Sequence, residues 1–260
     1  MMQAKALILG TKRLGPLFYR FKLKSPSISS QARPGQFVHL RIEDSFDPLL
    51  RRPLSIHHTD PSQGTFDLLF KVRGKGTRLL SQKSPAEELD LIGPLGNGFP
   101  LPPPGQSPIL VAGGIGIASL FMLAERLTSA GSPFFWGAKG KEEIFLRDEL
   151  SSLGWRLSIS TEDGSLGYRG LVTDLLQGLL ARTKGDHLIY ACGPWGMLRE
   201  VARLSRENHL PCWVSLEGNM ACGVGACWGC AVRCRVEGEI IYRRICKEGP
   251  IFAGREVIWD

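Results

Sequence analysis

The chain has 260 residues, 43% of them hydrophobic and 22% charged, and carries a formal net charge of +7. That length suits two domains of ordinary size, or one with an appendage, and the balance of apolar to charged residues is that of a soluble globular protein. No apolar run approaches the roughly 20 residues of a membrane span and no targeting segment is evident, so the expectation is a cytoplasmic protein with no membrane partner.

The charge is uneven. Residues 1–100 hold 15 Lys/Arg against 8 Asp/Glu, whereas 101–216 hold 11 of each and 217–260 hold 6 of each. No tract mixes basic residues with aromatics as a nucleic-acid face does, so no nucleic-acid partner is expected. An anionic ligand such as a flavin pyrophosphate fits the excess better than nucleic acid does, with a solvated basic surface as the plain alternative.

In chain order, those first hundred residues read as β-structure. Residues 18–23 and 37–42 alternate apolar with polar, and 66–72 form another short strand. Pro34-Gly35, Pro61, Gly64, Gly93-Pro94 and Gly96 separate such runs at hairpin-like intervals, and a small antiparallel barrel is the economical reading. Pro100-Leu101-Pro102-Pro103-Pro104-Gly105 breaks this pattern and marks a boundary. Beyond it, short strands at 109–112, 134–136, 157–160, 187–191 and 213–216 alternate with helical stretches at 117–128, 171–180 and 197–207, the rhythm of a parallel, doubly wound α/β domain. The predicted organisation is a β-barrel over 1–100, a Rossmann-like α/β domain over 101–216 and a small cysteine-bearing domain over 217–260.

Three groups of residues carry chemistry. In the barrel, Arg51-Arg52-Pro53-Leu54-Ser55 can pair a guanidinium with a diphosphate and aim a hydroxyl at a flavin ring. Leu69-Phe70-Lys71 leads into Gly74-Lys75-Gly76-Thr77, where a helix is predicted to begin at Thr77 and to offer amides to an anion. In the α/β domain, Ala112-Gly113-Gly114-Ile115-Gly116 forms a glycine turn between a strand and a helix, a place for a pyrophosphate or simply for close packing. The usual Rossmann acid on the second strand is missing, since that strand ends Trp136-Gly137-Ala138-Lys139. The third group is Cys222, Cys227, Cys230 and Cys246, spaced C-x4-C-x2-C with a distant fourth, as for a plant-type 2Fe-2S cluster. Seven cysteines, an odd number, argue against secreted disulfides. A four-thiolate zinc site competes, and Cys234 competes with Cys246 as fourth ligand, although a turn at Glu237-Gly238-Glu239 would carry Cys246 back toward the loop on a return strand. The five histidines are scattered and read as satisfied core or surface residues. Cys212 has no motif.

The order Pro34-Gly35-Gln36-Phe37, Arg52-Pro53-Leu54-Ser55, Gly74-Lys75-Gly76-Thr77, Gly93-Pro94-Leu95-Gly96-Asn97-Gly98-Phe99, Gly113-Gly114-Ile115-Gly116 and Cys192-Gly193-Pro194 resembles the ferredoxin–NADP reductase superfamily. With the cysteine loop and Cys246-Lys247-Glu248-Gly249-Pro250, the chain resembles the electron-transfer subunits of NAD-dependent dihydroorotate dehydrogenases. That resemblance implies FAD, a 2Fe-2S cluster and NAD as cofactors. It implies FAD contacts at Arg52, Pro53, Leu54, Ser55, Leu69, Phe70, Lys71, Gly76 and Thr77. NAD contacts fall at Gly113, Gly114, Gly116, Cys192, Gly193 and Pro194, and the cluster ligands at the four cysteines above. In this superfamily the end of the third α/β strand, Thr161-Glu162-Asp163-Gly164, lies near the adenosine ribose, where Glu162 would favour NAD over NADP; Lys139 argues the other way. The implied role is an oxidoreductase subunit in UMP synthesis. It passes electrons from an FMN-containing catalytic subunit, in a heterotetramer of two copies of each, through the cluster and FAD to NAD+. Ala112, Ser119 and the pair His57-His58 depart from the superfamily pattern. Two other readings stay open: a flavin/iron–sulfur reductase subunit of a hydrogenase- or ferredoxin-linked complex, and a zinc-stabilised adaptor without redox activity.

Overall fold

Alternating burial accounts for the first layer. In the computed structural model, which describes residues 2–127, 131–183 and 185–259, six antiparallel strands close into a barrel. They are β1 (Met2–Arg13), β2 (Phe18–Lys24), β3 (Phe37–Arg41), β4 (Arg52–Asp60), β5 (Thr65–Lys71) and β6 (Glu88–Leu95), in the order β1-β2-β5-β4-β3-β6. Phe21, Leu23, Val38, Leu40, Ile56, Phe66, Leu68 and Leu91 fill its interior and are fully buried. β1 is not among the predicted strands. Ala6 and Ile8 point inward while Leu7 and Leu9 point outward, so apolar residues on both faces hide the period of two.

Two short helices decorate the barrel, α1 (Pro26–Ser29) and α2 (Lys75–Ser81). α2 starts before the predicted Thr77. The Thr77 hydroxyl turns back to accept the amides of Arg73 and Gly74 at 2.9 and 3.2 Å, so Thr77 closes the first turn rather than opening it.

The second layer alternates strand and helix: β7 (Ser107–Gly113), α3 (Ile117–Arg126), β8 (Pro133–Ala138), α4 (Arg147–Ser152), β9 (Arg156–Thr161), β10 (Tyr168–Arg169), α5 (Val172–Leu180), β11 (His187–Cys192), α6 (Trp195–Glu207) and β12 (Cys212–Ser215). The predicted end of α3 at Thr128 lies outside the described residues. Strands β7 to β12 run parallel in the order β10-β9-β8-β7-β11-β12. Both faces are covered, which is why Ile109 to Ala112 reads as an unbroken apolar run. The order reverses between β7 and β11, and their carboxyl ends flank the crevice where such sheets bind ligands.

The last segment is a hairpin, β13 (Ala231–Val236) and β14 (Glu239–Arg244), followed by β15 (Ile251–Ala253). β15 joins the parallel sheet as an antiparallel edge beside β12. One apolar cluster therefore runs from Phe37 and Leu95 of the barrel through Val111 and Val214 to Cys230, Cys234 and Cys246. No helix among the described residues is long and apolar enough to cross a membrane.

Among the described residues, three ion pairs cross from barrel to α/β layer: Arg20–Glu149 at 2.8 Å, Lys71–Glu143 at 2.6 Å and His58–Glu125 at 2.7 Å. Next to them His57 is fully buried and stacks on Phe121 with centroids 4.4 Å apart; burial, with Arg20 nearby, pushes its pKa down to about 3 and keeps it neutral. The expectation of satisfied histidines fails for His39, His57 and His187, whose buried ring nitrogens find no partner among the described residues.

His58 behaves oppositely. Its hydrogen bond to Glu125 outweighs burial, and the charges of Glu125, Asp67 and Asp60 add to it, so its pKa is raised. A raised folded-state value contributes stability that is fully present below the unfolded pKa of about 6.5 and is lost as pH rises through the folded value. The melting-temperature gap between the native chain and Glu125→Gln is expected to be widest below about pH 6.5 and to close as pH climbs. A gap independent of pH in thermal melts would remove His58 as its source.

Candidate functional site

Strand alternation separates the two adjacent arginines of the barrel motif. Arg51 serves the barrel, donating to Asp90 Oδ1 at 2.9 Å and to the carbonyls of Asp90 and His39 at 3.0 and 3.3 Å. Arg52 pairs with no carboxylate among the described residues. Its guanidinium donates to the Leu50 carbonyl at 2.5 Å and lies across Gly76, where a Cβ would come within 2.7 Å of Nε. One uncommitted cation thus rests over the start of α2, the arrangement a phosphate group needs.

Arg52, Pro53, Leu54 and Ser55 line one wall of a cleft of about 220 Å³, with Leu69, Phe70, Lys71 and Thr77 beside them. The opposite wall comes from Cys192 at the end of β11, Ser215 at the end of β12, and Glu217, Gly218 and Met220, the first residues of the cysteine segment. Lys71 is held against Glu143 and lies 4.9 Å from the Phe18 ring centroid. Leu69 packs toward the α/β layer and Phe70 into the barrel interior. Sequence reasoning missed Glu217 and its neighbours. The signal was their place directly after a parallel strand, where ligand crevices lie.

Cys192 is 2% exposed, and burial, with Glu217 adding, pushes its thiol up to about 12. It remains a neutral, compact wall beside the buried Ser119–Ser215 hydroxyl pair at 3.2 Å. The glycine turn divides its work. A Cβ on Gly116 would meet the Cys192 carbonyl at 2.1 Å, and one on Gly113 would meet Met197 Sδ at 2.5 Å and Pro194 Cδ at 2.7 Å, so both serve close packing. Gly114, at φ +51°, has open space above it; its nearest atom is Glu143 Oε2 at 3.7 Å. It is the position where a ligand backbone can approach. A second cavity of about 210 Å³ adjoins it, lined by Gly113, Gly193, Pro194 and Trp195. Arg73 and Glu217, 3.7 Å apart, line both this cavity and, with Cys192, the first.

Glu162 is not brought into these cavities. It is exposed just past β9, and its amide binds the Ala138 carbonyl at 3.1 Å, which sets it beside exposed Lys139 at the end of β8.

The four predicted cluster cysteines are gathered on one loop and its return strand. Cys222 Sγ accepts the amides of Ala226 and Cys227 at 3.3 and 3.4 Å. Burial works to raise its pKa, yet the amides of Val224, Cys227 and Ala226 and the Cys227 thiol bring it down to about 6. Cys230 and Cys246 lie 3.3 Å apart, Sγ to Sγ, and the Cys246 amide donates to Cys230 Sγ at 3.4 Å. Burial and the Cys230 thiol push Cys246 up to about 12. The thiols therefore stand as two pairs, Cys222 with Cys227 and Cys230 with Cys246. No three His, Cys, Asp or Glu side chains among the described residues converge on a single point as one zinc ion requires. Two pairs, with amides aimed at sulfur, fit a two-iron cluster. Arg244 braces the loop: it donates to the Gly225 carbonyl and to Glu248 Oε1, both at 2.5 Å, and covers the Trp228 ring at 4.3 Å. Trp228 is 51% exposed, whereas Val224 is half-buried against the core.

Two of the sequence motifs bind each other. Asn97 donates its amide to the Gly249 carbonyl at 2.6 Å and its side chain to the Glu248 carbonyl at 2.8 Å, and a Cβ on Gly96 would strike Pro250 Cδ at 2.4 Å. The Gly-Asn-Gly turn of the barrel is thus a latch for the segment that follows Cys246.

Comparison with known proteins gives three matching family models: an oxidoreductase FAD-binding domain over residues 16–99, an oxidoreductase NAD-binding domain over 110–203, and the iron–sulfur cluster binding domain of dihydroorotate dehydrogenase B over 217–258. The dihydroorotate dehydrogenase B (NAD+) electron transfer subunit of Desulforamulus reducens is 40% identical over 257 residues, 98% of each chain. That of Bacillus caldolyticus is 42% identical over 245 residues, 92% of each chain. Among solved structures, a chain from the NADH-dependent reduced ferredoxin–NADP oxidoreductase, a flavin-based electron-bifurcating enzyme, superposes with a TM-score of 0.86 at 35% identity, covering 98% of this chain and 90% of that one. The ferredoxin reductase of carbazole 1,9a-dioxygenase shares the fold at 19% identity and a TM-score of 0.70.

Cys234 is fully buried in β13, paired with Ile241 and bridged to Val257, and so faces the core rather than the thiol pairs. Cys246→Ala is expected to abolish or severely destabilise the cluster, while Cys234→Ala leaves its visible absorption nearly unchanged. The reverse pattern would overturn the ligand set.

Proposed function

The chain belongs to the family of dihydroorotate dehydrogenase B (NAD+) electron transfer subunits, and we propose that it carries electrons from dihydroorotate oxidation on a catalytic partner subunit to NAD+ in UMP synthesis. The observation that carries this reading is the single cleft in which the Arg52–Ser55 strand, the Cys192 strand end and the start of the cysteine segment meet. A flavin strand, a nucleotide strand and a cluster segment that share one cleft are what an electron conduit requires.

Within this proposal, Arg52, Pro53, Leu54, Ser55, Leu69, Phe70, Lys71, Gly76 and Thr77 hold FAD, with the Arg52 charge toward the pyrophosphate and the Ser55 hydroxyl toward the ring. Gly114, Glu162, Cys192, Gly193 and Pro194 serve NAD, with Gly113 and Gly116 shaping the turn through their close packing, and Cys222, Cys227, Cys230 and Cys246 hold the 2Fe-2S cluster. When bound, FAD converts single electrons from the cluster into hydride transfer with nicotinamide. The neutral Cys192 thiol keeps water and charge away from the cleft wall without competing as a nucleophile. Dihydroorotate itself is oxidised on the partner, for which we propose FMN and a heterotetramer of two copies of each chain, in the cytoplasm. Trp228, exposed beside the thiol pairs, supplies part of the docking face.

The test is reconstitution. The purified chain should contain FAD, iron and sulfide, and should reduce NAD+ with dihydroorotate only when the catalytic subunit is added. Trp228→Glu should weaken co-purification with that subunit and leave the cluster spectrum intact. A colourless protein containing zinc would refute the electron-conduit reading. The likeness to the ferredoxin–NADP oxidoreductase chain favours a second reading, a ferredoxin-linked reductase subunit. Exchange with reduced ferredoxin but not with the dihydroorotate-oxidising partner would establish it.

Glu162 stands at the β9 end beside Lys139. A carboxylate there accepts a hydrogen bond from a ribose 2′-hydroxyl and repels a 2′-phosphate. Catalytic efficiency with NADH is expected to exceed that with NADPH, and Glu162→Gln should narrow the gap. Equal efficiencies in the native chain would remove Glu162 from the site.

A further inference from the structure

One barrel side chain reaches the cysteine loop although it belongs to no motif. His39 lies on β3, in register with Pro53 of the flavin strand on one side and Ile92 of β6 on the other. Its ring is fully buried, and neither nitrogen makes a hydrogen bond among the described residues. The ring presses on the loop at Gly223, where a Cβ would fall 2.2 Å from Nδ1 and 2.9 Å from Cε1. Gly223 also holds φ +69°, so the position suits glycine twice over. The backbone carbonyls of Arg51 and Cys222 face the ring without completing a bond. Arg51 in turn ties the His39 carbonyl to Asp90, which holds β3 in place.

A buried imidazole with no partner is uncommon in a folded protein. His57 is equally orphaned, but it packs face to face on Phe121. His39 has no ring stacked on it among the described residues, and its neighbour is the loop that bears Cys222. Hydrogen bonds from outside the ligand set orient metal ligands, and those to cluster sulfurs tune reduction potential.

We infer that His39 is a positioning residue for the cluster: its ring N–H donates to the Cys222 arm of the loaded loop, fixing that arm against the flavin strand and setting the cluster potential. This rests on the cluster reading above. β3 then links the two cofactor segments directly. His39 pairs through its backbone with the strand that carries Arg52 to Ser55, and through its ring with the arm that carries the first thiolate.

The test compares His39→Leu with His39→Gln in the purified, cluster-loaded full chain. Iron and sulfide content, the electron paramagnetic resonance spectrum of the reduced cluster and a redox titration are the measurements. His39→Leu is expected to retain iron and sulfide but to lower the midpoint potential, changing the oxidised-to-reduced ratio at a fixed potential by about tenfold, the weight of one buried hydrogen bond. The resonance line shape should change with it. His39→Gln, which keeps a donor, should restore most of both. Unchanged spectra and potential in a fully loaded Leu variant would overturn the inference while leaving the cluster reading standing. Equal cluster loss in both variants, with a native spectrum in the remainder, would reduce His39 to packing and overturn it as well. A native chain that binds no cluster would overturn both.

Discussion

The pairing of β15 with β12 is the constraint on which the arrangement of sites depends. Ile251, Phe252 and Ala253 lie opposite Ser215, Val214 and Trp213, and so bring the chain back to the α/β sheet a few residues after Cys246. From the other side, Asn97 holds the carbonyls of Glu248 and Gly249. Cys246 is thus suspended between a sheet edge and a barrel turn. Its partner Cys230 precedes a hairpin whose register, Ala231 opposite Arg244, returns the chain to within 3.3 Å of it. A thiol pair held by three separate backbone attachments is pre-organised, so a cluster need not order the loop as it binds.

Charge is distributed by the same logic. Of the basic residues in the first hundred, Lys5, Arg51 and Lys83 pair within that region with Glu88, Asp90 and Glu87 and Lys75 contacts Asp47, while Arg20, Lys71 and Arg73 reach carboxylates beyond it. Exposed pairs of this kind add little stability individually. Arg52 is among the cations with no carboxylate partner among the described residues, and it is the one that lies across Gly76 at the start of α2.

The crossing pairs also bear on function. Lys71 and Glu143 join the flavin segment to the α/β layer next to the glycine turn, while Arg73 and Glu217 face each other where the two cavities adjoin. Transfer between a flavin and a nicotinamide depends on the two rings meeting within narrow limits. The barrel and the sheet therefore need a fixed relative orientation, and ion pairs with partly buried members supply it more rigidly than exposed ones.

Much of this was legible in the residues. The alternation at 18–23, 37–42 and 66–72 marks barrel strands, the apolar runs at 109–112 and 187–191 mark buried parallel strands, and the C-x4-C-x2-C spacing marks a cluster loop, because each depends only on local periodicity or on the short reach of a loop. The hairpin that returns Cys246 was legible too, from the turn residues between two strand-like runs. Other features depended on neighbours distant in sequence. β1 stayed hidden because its outward face carries Leu7 and Leu9. Arg51 and Arg52 look alike in sequence, and only the position of Asp90 on a strand far along the chain separates the structural arginine from the free one. Gly113 and Gly116 read as phosphate glycines until the Cys192 carbonyl and Met197 are placed against them. His39 reads as an ordinary strand histidine until the cysteine loop folds onto it. Periodicity and spacing determined the elements and the candidate thiols, since these are properties of a few consecutive residues. The tertiary structure decided which of those side chains were already occupied, because a side chain's partners are set by what the fold brings to it and not by what stands next to it in the chain.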